Sequence, residues 1–290
     1  MSKPTTFTSV GEIRAALKNL PRPLALVPTM GALHDGHLQL LRAARQQVGP
    51  EGTVAISIFV NPIQFDRSED LQNYPRPLDQ DLERCCEEGV DLVFLPESSS
   101  LYQPDHSTIV TESLLTKSLC GATRPGHFDG VLTIVLKLFH IFQPESAIFG
   151  DKDFQQIALI RRMVRDLDLA VEIIGHPTIR ESDGLAMSSR NQRLNEEQRR
   201  DAPRIRRALL AASHLQKTGE QNREIYLNAA REHLNKNALP EFKIQYLELV
   251  DQATLQPIAK VTAPAILAAA CFYDSIRLID HVSIDPTKSD

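Results

Sequence analysis

The sequence predicts an α/β protein with a doubly wound parallel sheet, followed by a smaller α+β domain at the C-terminal end. Strand-like and helix-like runs alternate from residue 24 to residue 175, and such alternation is typical of a parallel sheet covered by helices. The run Thr53–Val60 is β-branched and almost continuously apolar, as expected for a central strand buried on both faces. After about residue 179 the pattern changes to helices followed by strand-like runs.

The first domain is predicted to cover residues 1–178. Its elements follow from apolar runs and from apolar residues at helical spacing. Pro77 is expected to open a helix, because Asp79 and Asp81 stand in its early turns, where acidic side chains complement the helix dipole. The predicted elements are strand 24–27, helix 36–47, strand 53–60, the helix from Pro77, strand 91–95, helix 129–142, strand 147–149, helix 153–167 and strand 171–175. This order predicts a Rossmann-like sheet.

The second domain is predicted to cover residues 179–290. Pro203 suits an early position of a long helix that ends near Gly219, and a second helix covers about 221–235. Three strand-like runs, 244–250, 265–271 and 276–280, then predict a small antiparallel sheet. A group of basic residues is interpreted as a solvated helix face: Arg199, Arg200, Arg204, Arg206 and Arg207.

The composition indicates a globular enzyme with no nucleic-acid or membrane partner. The chain has 290 residues and a formal net charge of -5 at pH 7, which argues against a nucleic-acid-binding surface. Its beginning leads into no apolar core of a signal peptide, and the apolar segment 131–142 is too short to span a bilayer. Cys85 and Cys86 are adjacent and would form a strained bridge. Reduced thiols in a cytoplasmic protein are therefore expected.

The most informative segment is Pro28–His37, where a predicted strand turns into a helix. His34 and His37 stand at the start of that helix, where unpaired backbone N–H groups and the positive end of the dipole favour an anion. Gly31 and Gly36 lack a Cβ, so a ligand can approach the backbone. Two alternatives stay open: the pair ligates a metal, although no CxxC cluster supports this, or each ring is simply packed and hydrogen-bonded. The context favours a nucleotide phosphate.

Polar residues also follow the strand 53–60, at the end where open α/β sheets bind ligands. Asn61 and Gln64 are uncharged donors and acceptors, which suit a small molecule with hydroxyl or carboxylate groups. A capped turn explains the same residues equally well.

The segment after the strand 147–149 combines a glycine with charged residues. Gly150 permits close approach, Lys152 can neutralise a phosphate, and Asp153 can accept hydrogen bonds from ribose hydroxyls or cap the helix. Gln156 lies three residues after Asp153, on the same helical face. The alternative is that Lys152 and its flanking aspartates form only a surface salt-bridge cluster.

Two further segments carry cations. Ser188, Ser189 and Arg190 combine hydroxyls with a guanidinium that can bind two phosphate oxygens, so they form a candidate polyphosphate clamp. Arg124 and His127 lie on a turn before the helix 129–142, and the sequence leaves their role open.

Together these segments resemble a known family. His34–His37 is similar to the His-x-Gly-His motif of the class I aminoacyl-tRNA synthetase and nucleotidyltransferase superfamily, and Met187–Arg190 is similar to its mobile phosphate-binding motif. Five ordered stretches between about residues 20 and 195 resemble the pantoate–β-alanine ligase (pantothenate synthetase) family: PTMGALHDGH, FVNPIQF, RPGHFDGV, FGDKDFQQ and DGLAMSSRN. Asp151 departs from the glutamate usual in that family, which keeps the charge but shortens the reach.

The resemblance implies that ATP is used to condense pantoate with β-alanine through a pantoyl adenylate, with release of AMP and diphosphate. It implies that His34 and His37 stabilise charge on the α-phosphate, with His37 as the proton donor. It also implies that Lys152 and Arg190, with the two serines beside Arg190, hold the outer phosphates together with Mg²⁺.

The resemblance also implies the binding residues and a homodimer. Asn61, Gln64 and Gln156 are the substrate-binding candidates, and Gln64 also meets β-alanine. Asp79 and Asp81 are acidic candidates for Mg²⁺, whose ligands cannot be derived from the sequence. The implied ATP site consists of Met30, Gly31, Ala32, Leu33, His34, Asp35, Gly36, His37, Gly150, Asp151, Lys152, Asp153, Ile179, Met187, Ser188, Ser189 and Arg190.

Three other functions compete with this one. A small-molecule nucleotidyltransferase shares the histidine motif and the clamp, but transfers AMP to a phosphate and stops. A tRNA synthetase is disfavoured, because the acidic chain leaves little room for tRNA-binding domains. A regulatory module that binds nucleotide without turnover is disfavoured by the full set of phosphate-facing groups.

Overall fold

The computed structural model describes residues 3–287 and divides the chain into two compact units. The first unit contains the residues up to Glu112, Arg124–Asp151 and Gln156–Pro177. The second contains Ser113–Thr123, Lys152–Gln155 and the residues from Thr178 onward. The limits proposed from the sequence, 1–178 and 179–290, place both short segments in the first domain, and that division stays a prediction.

Strands and helices lie close to the positions that hydrophobic periodicity predicts. The strands are β1 Thr5–Phe7, β2 Leu24–Thr29, β3 Thr53–Ile58, β4 Leu92–Phe94, β5 Ser146–Gly150, β6 Glu172–His176, β7 Phe242–Asp251, β8 Ala265–Tyr273 and β9 Ile276–Ile284. The α-helices are α1 Val10–Leu17, α2 Asp35–Val48, α3 Ser68–Gln72, α4 Leu78–Glu87, α5 Ser98–Leu101, α6 Leu119–Thr123, α7 His127–Phe142, α8 Phe154–Asp166, α9 Glu196–Asp201, α10 Arg204–Ser213 and α11 Arg223–Asn235. Short 3₁₀ helices cover Pro62–Gln64, Leu115–Lys117, Asp151–Asp153, Ser189–Arg193 and His214–Thr218.

The first unit contains the predicted parallel sheet, in the order β1-β4-β3-β2-β5-β6. From β2 the chain builds outward through β3 and β4, then returns to place β5 on the other side of β2. The gap between the ends of β2 and β5 is therefore a topological switch point, where open α/β sheets bind ligands. The histidine turn follows β2, and Asp151 follows Gly150, the last residue of β5.

Helices cover both faces of this sheet, as predicted. Val27, Ile56 and Val93 pack in one cluster with Leu41 of α2. Phe94, the next residue along β4, instead meets Phe142 of α7 edge to face, with ring centroids 5.8 Å apart. Because successive strand residues point to opposite faces, the two clusters lie on opposite sides of the sheet.

The second unit contains the predicted antiparallel sheet, in the order β7-β8-β9. Helices α10 and α11 pack on it, and its core includes Leu209, Tyr226 and Ala269. The long helix that the sequence predicts after Pro203 changes to a 3₁₀ helix at His214 and ends at Gly219, whose φ of 75° is readily adopted by glycine.

The interpretation of the basic run as a solvated face is wrong for Arg204. This side chain is buried, and its guanidinium donates to the carbonyl oxygens of Leu234, Lys236 and Asn237 at the end of α11. It also pairs with Asp201 at 2.6 Å. A cation at a helix C-terminus satisfies carbonyls that the helix leaves unpaired, so Arg204 joins two helices of this unit.

Two negative findings concern residues 3–287. No helix in this range is long and apolar enough to cross a membrane. No disulfide joins any of the four cysteines.

Candidate active site

The histidine turn lies at the N-terminus of α2, within the first unit. His34 is the extended residue that precedes the helix, with φ -134°, and His37 is in the first turn. Their ring centroids are 4.1 Å apart. Nδ1 of His37 accepts a hydrogen bond from the backbone N–H of His34 at 3.2 Å. Since this bond uses the Nδ1 lone pair, the neutral ring carries its proton on Nε2, and His37 can donate from that atom.

The turn is fixed from the side by Asp81 of α4. The carboxylate accepts hydrogen bonds from the backbone N–H groups of Ala32, at 2.8 Å, and Leu33, at 2.7 Å. Arg84 donates to the carbonyl oxygen of Leu33. Gly31 has φ +79°, and a Cβ there would lie 2.9 Å from Oδ2 of Asp81, so the close approach requires glycine. Asp81 is only 2% exposed, and burial raises the pKa of its carboxyl group.

These contacts alter the interpretation of the acidic pair on α4. Asp81 was predicted only as a candidate Mg²⁺ ligand, but both of its oxygens are engaged by the histidine turn. Asp79 is exposed. Among residues 3–287, no group of three His, Cys, Asp or Glu side chains could hold a metal ion.

Gln64 and Asn61 are both buried after β3, in the first unit. The side-chain amide of Asn61 donates to Oε1 of Gln64, at 3.1 Å, and to the carbonyl oxygen of Gly130, at 3.0 Å. Its Oδ1 accepts from the hydroxyl of Tyr102 at 3.0 Å. Nε2 of Gln64 lies 2.8 Å from Sδ of Met30, so the fold brings Gln64 to the histidine turn. Because the polar atoms of Asn61 already have protein partners, the geometry favours a supporting role for Asn61.

The segment that the sequence left without a role holds this loop in place. Nδ1 of His127 lies 2.6 Å from the carbonyl oxygen of Gln64, and Nε2 of the same ring lies 2.9 Å from Nη1 of Arg124. Arg124 in turn pairs with Asp66 at 2.7 Å. A Cβ on Gly130 would lie 2.7 Å from the backbone nitrogen of Gln64. The start of α7 therefore supports Gln64 through contacts that require both a histidine and a glycine.

A cavity of about 440 Å³ opens beside Met30 and Gly31 in the first unit. Its walls are mainly apolar and include Phe59, Pro62 and Leu95, at the ends of β3 and β4. Cavities of roughly 300 to 1,000 Å³ hold small-molecule ligands in other proteins. The histidine turn thus adjoins a space suitable for a small organic substrate.

The residues at the end of β5 differ in their surroundings. Asp151, which departs from the family pattern, packs so closely against Gly175 of β6 that a Cβ at that glycine would collide with it. Gln156 in the first turn of α8 is partly exposed. Its neighbour Gln155 is buried and donates to the carbonyl oxygens of Leu115 and Ser118, so the adjacent glutamines have different environments.

The second unit contains the predicted phosphate clamp. Lys152 and Ser188 line one narrow cleft, of about 10 Å³. Oγ of Ser188 accepts a hydrogen bond from the backbone N–H of Arg190 at 3.3 Å. Burial lowers the pKa of the Lys152 ammonium, and the nearby charge of Arg190 lowers it further, while Asp153 opposes the shift. Lys152, Ser188 and Arg190 are therefore brought together, in surroundings that favour a bound anion.

Two residues of this cleft, Asp280 and Arg206, and the arginine that pairs with Asp280 were not identified from the sequence as site residues. Asp280 accepts hydrogen bonds from both terminal nitrogens of Arg180, at 2.7 and 2.9 Å. Arg206 of α10 lines the same cleft as Asp280 and Lys152. No sequence signal connects them, because Arg180 and Asp280 are 100 residues apart.

The remaining candidates differ in their contacts and exposure. The backbone N–H of Met187 donates to the carbonyl oxygen of Ile179 at 2.9 Å. Ser189 is buried, while Asp35 and Asp153 are exposed. Asp35 and Asp153 can therefore contact only a ligand bound at the protein surface beside them.

Known proteins resemble this chain over nearly its whole length. A statistical model of the pantoate-beta-alanine ligase family matches residues 5–283. Pantothenate synthetase from Akkermansia muciniphila is 48% identical over 96% of this chain and 99% of its own length. Pantothenate synthetase from Moorella thermoacetica is 47% identical over 97% of each chain.

Solved structures agree with the sequence comparisons. The crystal structure of pantothenate synthetase from Thermus thermophilus has a TM-score of 0.90 and 44% identity, covering 97% of this chain and 99% of its own. Pantoate-beta-alanine ligase from Francisella tularensis, solved with beta-gamma ATP and beta-alanine, has a TM-score of 0.79 and 31% identity, covering 96% and 97%. Sequence and fold agree along the full length, and the chain belongs to the pantoate–β-alanine ligase family.

Proposed function

We propose that this protein condenses pantoate with β-alanine at the expense of ATP, giving pantothenate, AMP and diphosphate. In the first step a carboxylate oxygen of pantoate attacks the α-phosphorus, and the bond from that phosphorus to the diphosphate breaks. In the second step the neutral amine of β-alanine attacks the acyl carbon of the pantoyl adenylate. The bond from that carbon to AMP breaks, and the amine loses a proton. Family membership supports this reaction.

The observation that carries the proposal is the hydrogen bond between His34 and His37. Because it leaves the proton of the neutral His37 ring on Nε2, His37 can donate to an α-phosphate oxygen as charge accumulates there. The N-terminus of α2 adds positive potential at the same place, where the ring of His34 also lies. A donor fixed before the reaction lowers the barrier without reorganisation, so no protein nucleophile is required.

The proposal assigns the substrate contacts to two groups of residues. Gln64 and Gln156 would bind pantoate, with Gln64 also meeting β-alanine and Asn61 supporting it. Lys152 and Arg190, with the serines beside Arg190, would bind the outer phosphates. Mg²⁺ enters this scheme as part of the MgATP substrate, held mainly by phosphate oxygens and water.

We further propose that the protein acts in the cytoplasm as a homodimer, with small-molecule substrates and no nucleic-acid or membrane partner. The family resemblance supports the dimer, and the net charge of -5 supports the absence of a nucleic-acid partner. Sedimentation velocity of the purified protein measures the assembly directly, and a single species at the 32.4 kDa monomer mass would contradict it.

The reaction is tested by measuring AMP formation with ATP, pantoate and β-alanine present, and with each omitted in turn. We expect AMP only in the complete mixture, and exchange of labelled diphosphate into ATP with pantoate alone. Exchange that requires β-alanine would exclude the free adenylate. A nucleotidyltransferase would instead retain AMP in its product when the amine is present.

His37→Ala tests the proton donor. Loss of one donor to a transition-state phosphate reduces turnover by about 10² to 10³, and we expect a loss of this order in diphosphate exchange, with the unfolding midpoint preserved. Turnover close to that of the wild type would remove His37 from the mechanism.

A further inference from the structure

We propose that Arg206 is an additional phosphate-binding residue, whose guanidinium contacts an outer phosphate of ATP in the cleft of the second unit. This inference rests on the proposed function, because it assigns a further contact to the same substrate. Arg206 lies outside the five sequence stretches that resemble the family's motifs. Its assignment therefore depends on the position of its side chain in the fold.

Arg206 is placed to reach an anion in the cleft. It lies in the first turn of α10 and lines the cleft together with Lys152, Ser188 and Asp280. Its Nη1 donates to the carbonyl oxygen of His281 at 3.2 Å. A guanidinium has five N–H donors, so this single bond orients the group and leaves donors for a ligand.

The charges around Arg206 are out of balance. Asp280 is the acidic side chain of the cleft lining, but both of its oxygens accept hydrogen bonds from Arg180. One oxygen also accepts from the backbone N–H of His281 at 2.8 Å. Lys152 and Arg206 line the same cleft. Asp153 balances part of the charge of Lys152, whereas the acid that acts on Arg206 is Asp280, which is already paired with Arg180.

Such an arrangement is unfavourable without a further anion. Burying a charge is costly unless it is paired and hydrogen-bonded. Consistent with this, burial lowers the pKa of Arg206, and the neighbouring charge of Arg180 lowers it further, with Asp280 only partly opposing the shift. A polyphosphate supplies several negative oxygens at once, and a guanidinium binds such oxygens in pairs.

The next residue of the helix provides a matched control. Arg207 carries the same charge but is exposed, whereas Arg206 is partly buried at the cleft. Arg206→Met removes the charge and keeps most of the unbranched stem, and Arg207→Met makes the same chemical change outside the cleft. Arg206→Gln repeats the test with a polar side chain, so that poor folding of one variant does not decide the result.

The experiment measures the dissociation constants of MgATP, AMP and inorganic diphosphate by titration calorimetry on the full-length variants. Loss of a hydrogen bond to a charged group weakens binding by about 10- to 100-fold. We expect this loss for MgATP and diphosphate with Arg206→Met and Arg206→Gln, while AMP binding stays unchanged. Arg207→Met should bind all three as the wild type does.

Two results would overturn the inference. One is MgATP affinity in the Arg206 variants within twofold of that of Arg207→Met. The other is a parallel loss of AMP and MgATP binding, which indicates a structural defect. Failure of the proposed function is seen separately, as wild-type protein that binds MgATP but forms no AMP from pantoate and β-alanine.

Discussion

Replacement of Asp81 by asparagine tests the support of the histidine turn. In the wild type, one carboxylate accepts hydrogen bonds from two backbone N–H groups, at 2.8 Å from Ala32 and 2.7 Å from Leu33. Asparagine has a single acceptor oxygen, so its amide nitrogen would face the other N–H donor. The variant thus loses one hydrogen bond and leaves a buried donor unsatisfied.

The size of the effect follows from two opposing contributions. A hydrogen bond to a charged group contributes about 1.5 to 3 kcal/mol, and the second bond is weakened when the acceptor becomes neutral. Burial raises the pKa of Asp81, so removal of the charge recovers part of its desolvation cost. We therefore expect Asp81→Asn to lower the free energy of unfolding by about 2 kcal/mol.

The turn also positions His34, so the activity should fall as well. A misplacement of about 1 Å can reduce turnover by about 10², and we expect a loss up to this size in diphosphate exchange. Urea unfolding followed by circular dichroism measures the stability. Asp79→Asn makes the same change at an exposed position of the same helix and should alter stability by less than about 0.5 kcal/mol. Equal stability of the two variants would refute the reasoning.

Two further predictions concern charged residues of the second unit. Burial lowers the pKa of Lys152 in the folded protein below its ordinary value of 10.5. Between the lowered pKa and 10.5 the unfolded chain binds more protons than the folded protein, so the stability of the wild type rises with pH across that window. The Lys152→Met variant lacks this rise. In urea unfolding we expect the variant to be more stable than the wild type at neutral pH, and the difference in their free energies of unfolding to shrink as the pH approaches 10.5. A difference that does not depend on pH would contradict the lowered pKa. Arg204→Met leaves the mostly buried Asp201 without its cation, and breaking a buried pair in this way lowers the free energy of unfolding by about 3 kcal/mol. Thermal or urea unfolding measures this loss, with Arg207→Met, at an exposed position of the same helix, as the control. A loss of stability no larger than that of Arg207→Met would show that the buried pair contributes nothing.

Much of the fold could be predicted because its signals are local. The run Thr53–Val60 shows a buried strand by its composition alone, and Gly219 marks a helix end by its own conformational freedom. The sequence does not predict the short strand β1, because three residues are too few to show alternation and its pairing with β4 is a contact between distant segments. Such a strand has no pattern of its own and depends on its neighbour.

The sequence by itself determined the class of fold, the placement of His34 and His37 at a helix start, and the resemblance to one family, since strand, turn and helix are contiguous in the chain. Only the tertiary structure decided which charged residues are buried and what they contact. Asp81 reaches Leu33 across 48 residues, and Arg206 faces a cleft while Arg207 faces solvent. The physical reason is that periodicity arises within one element, whereas the partner of a charge is set by packing between elements far apart in sequence.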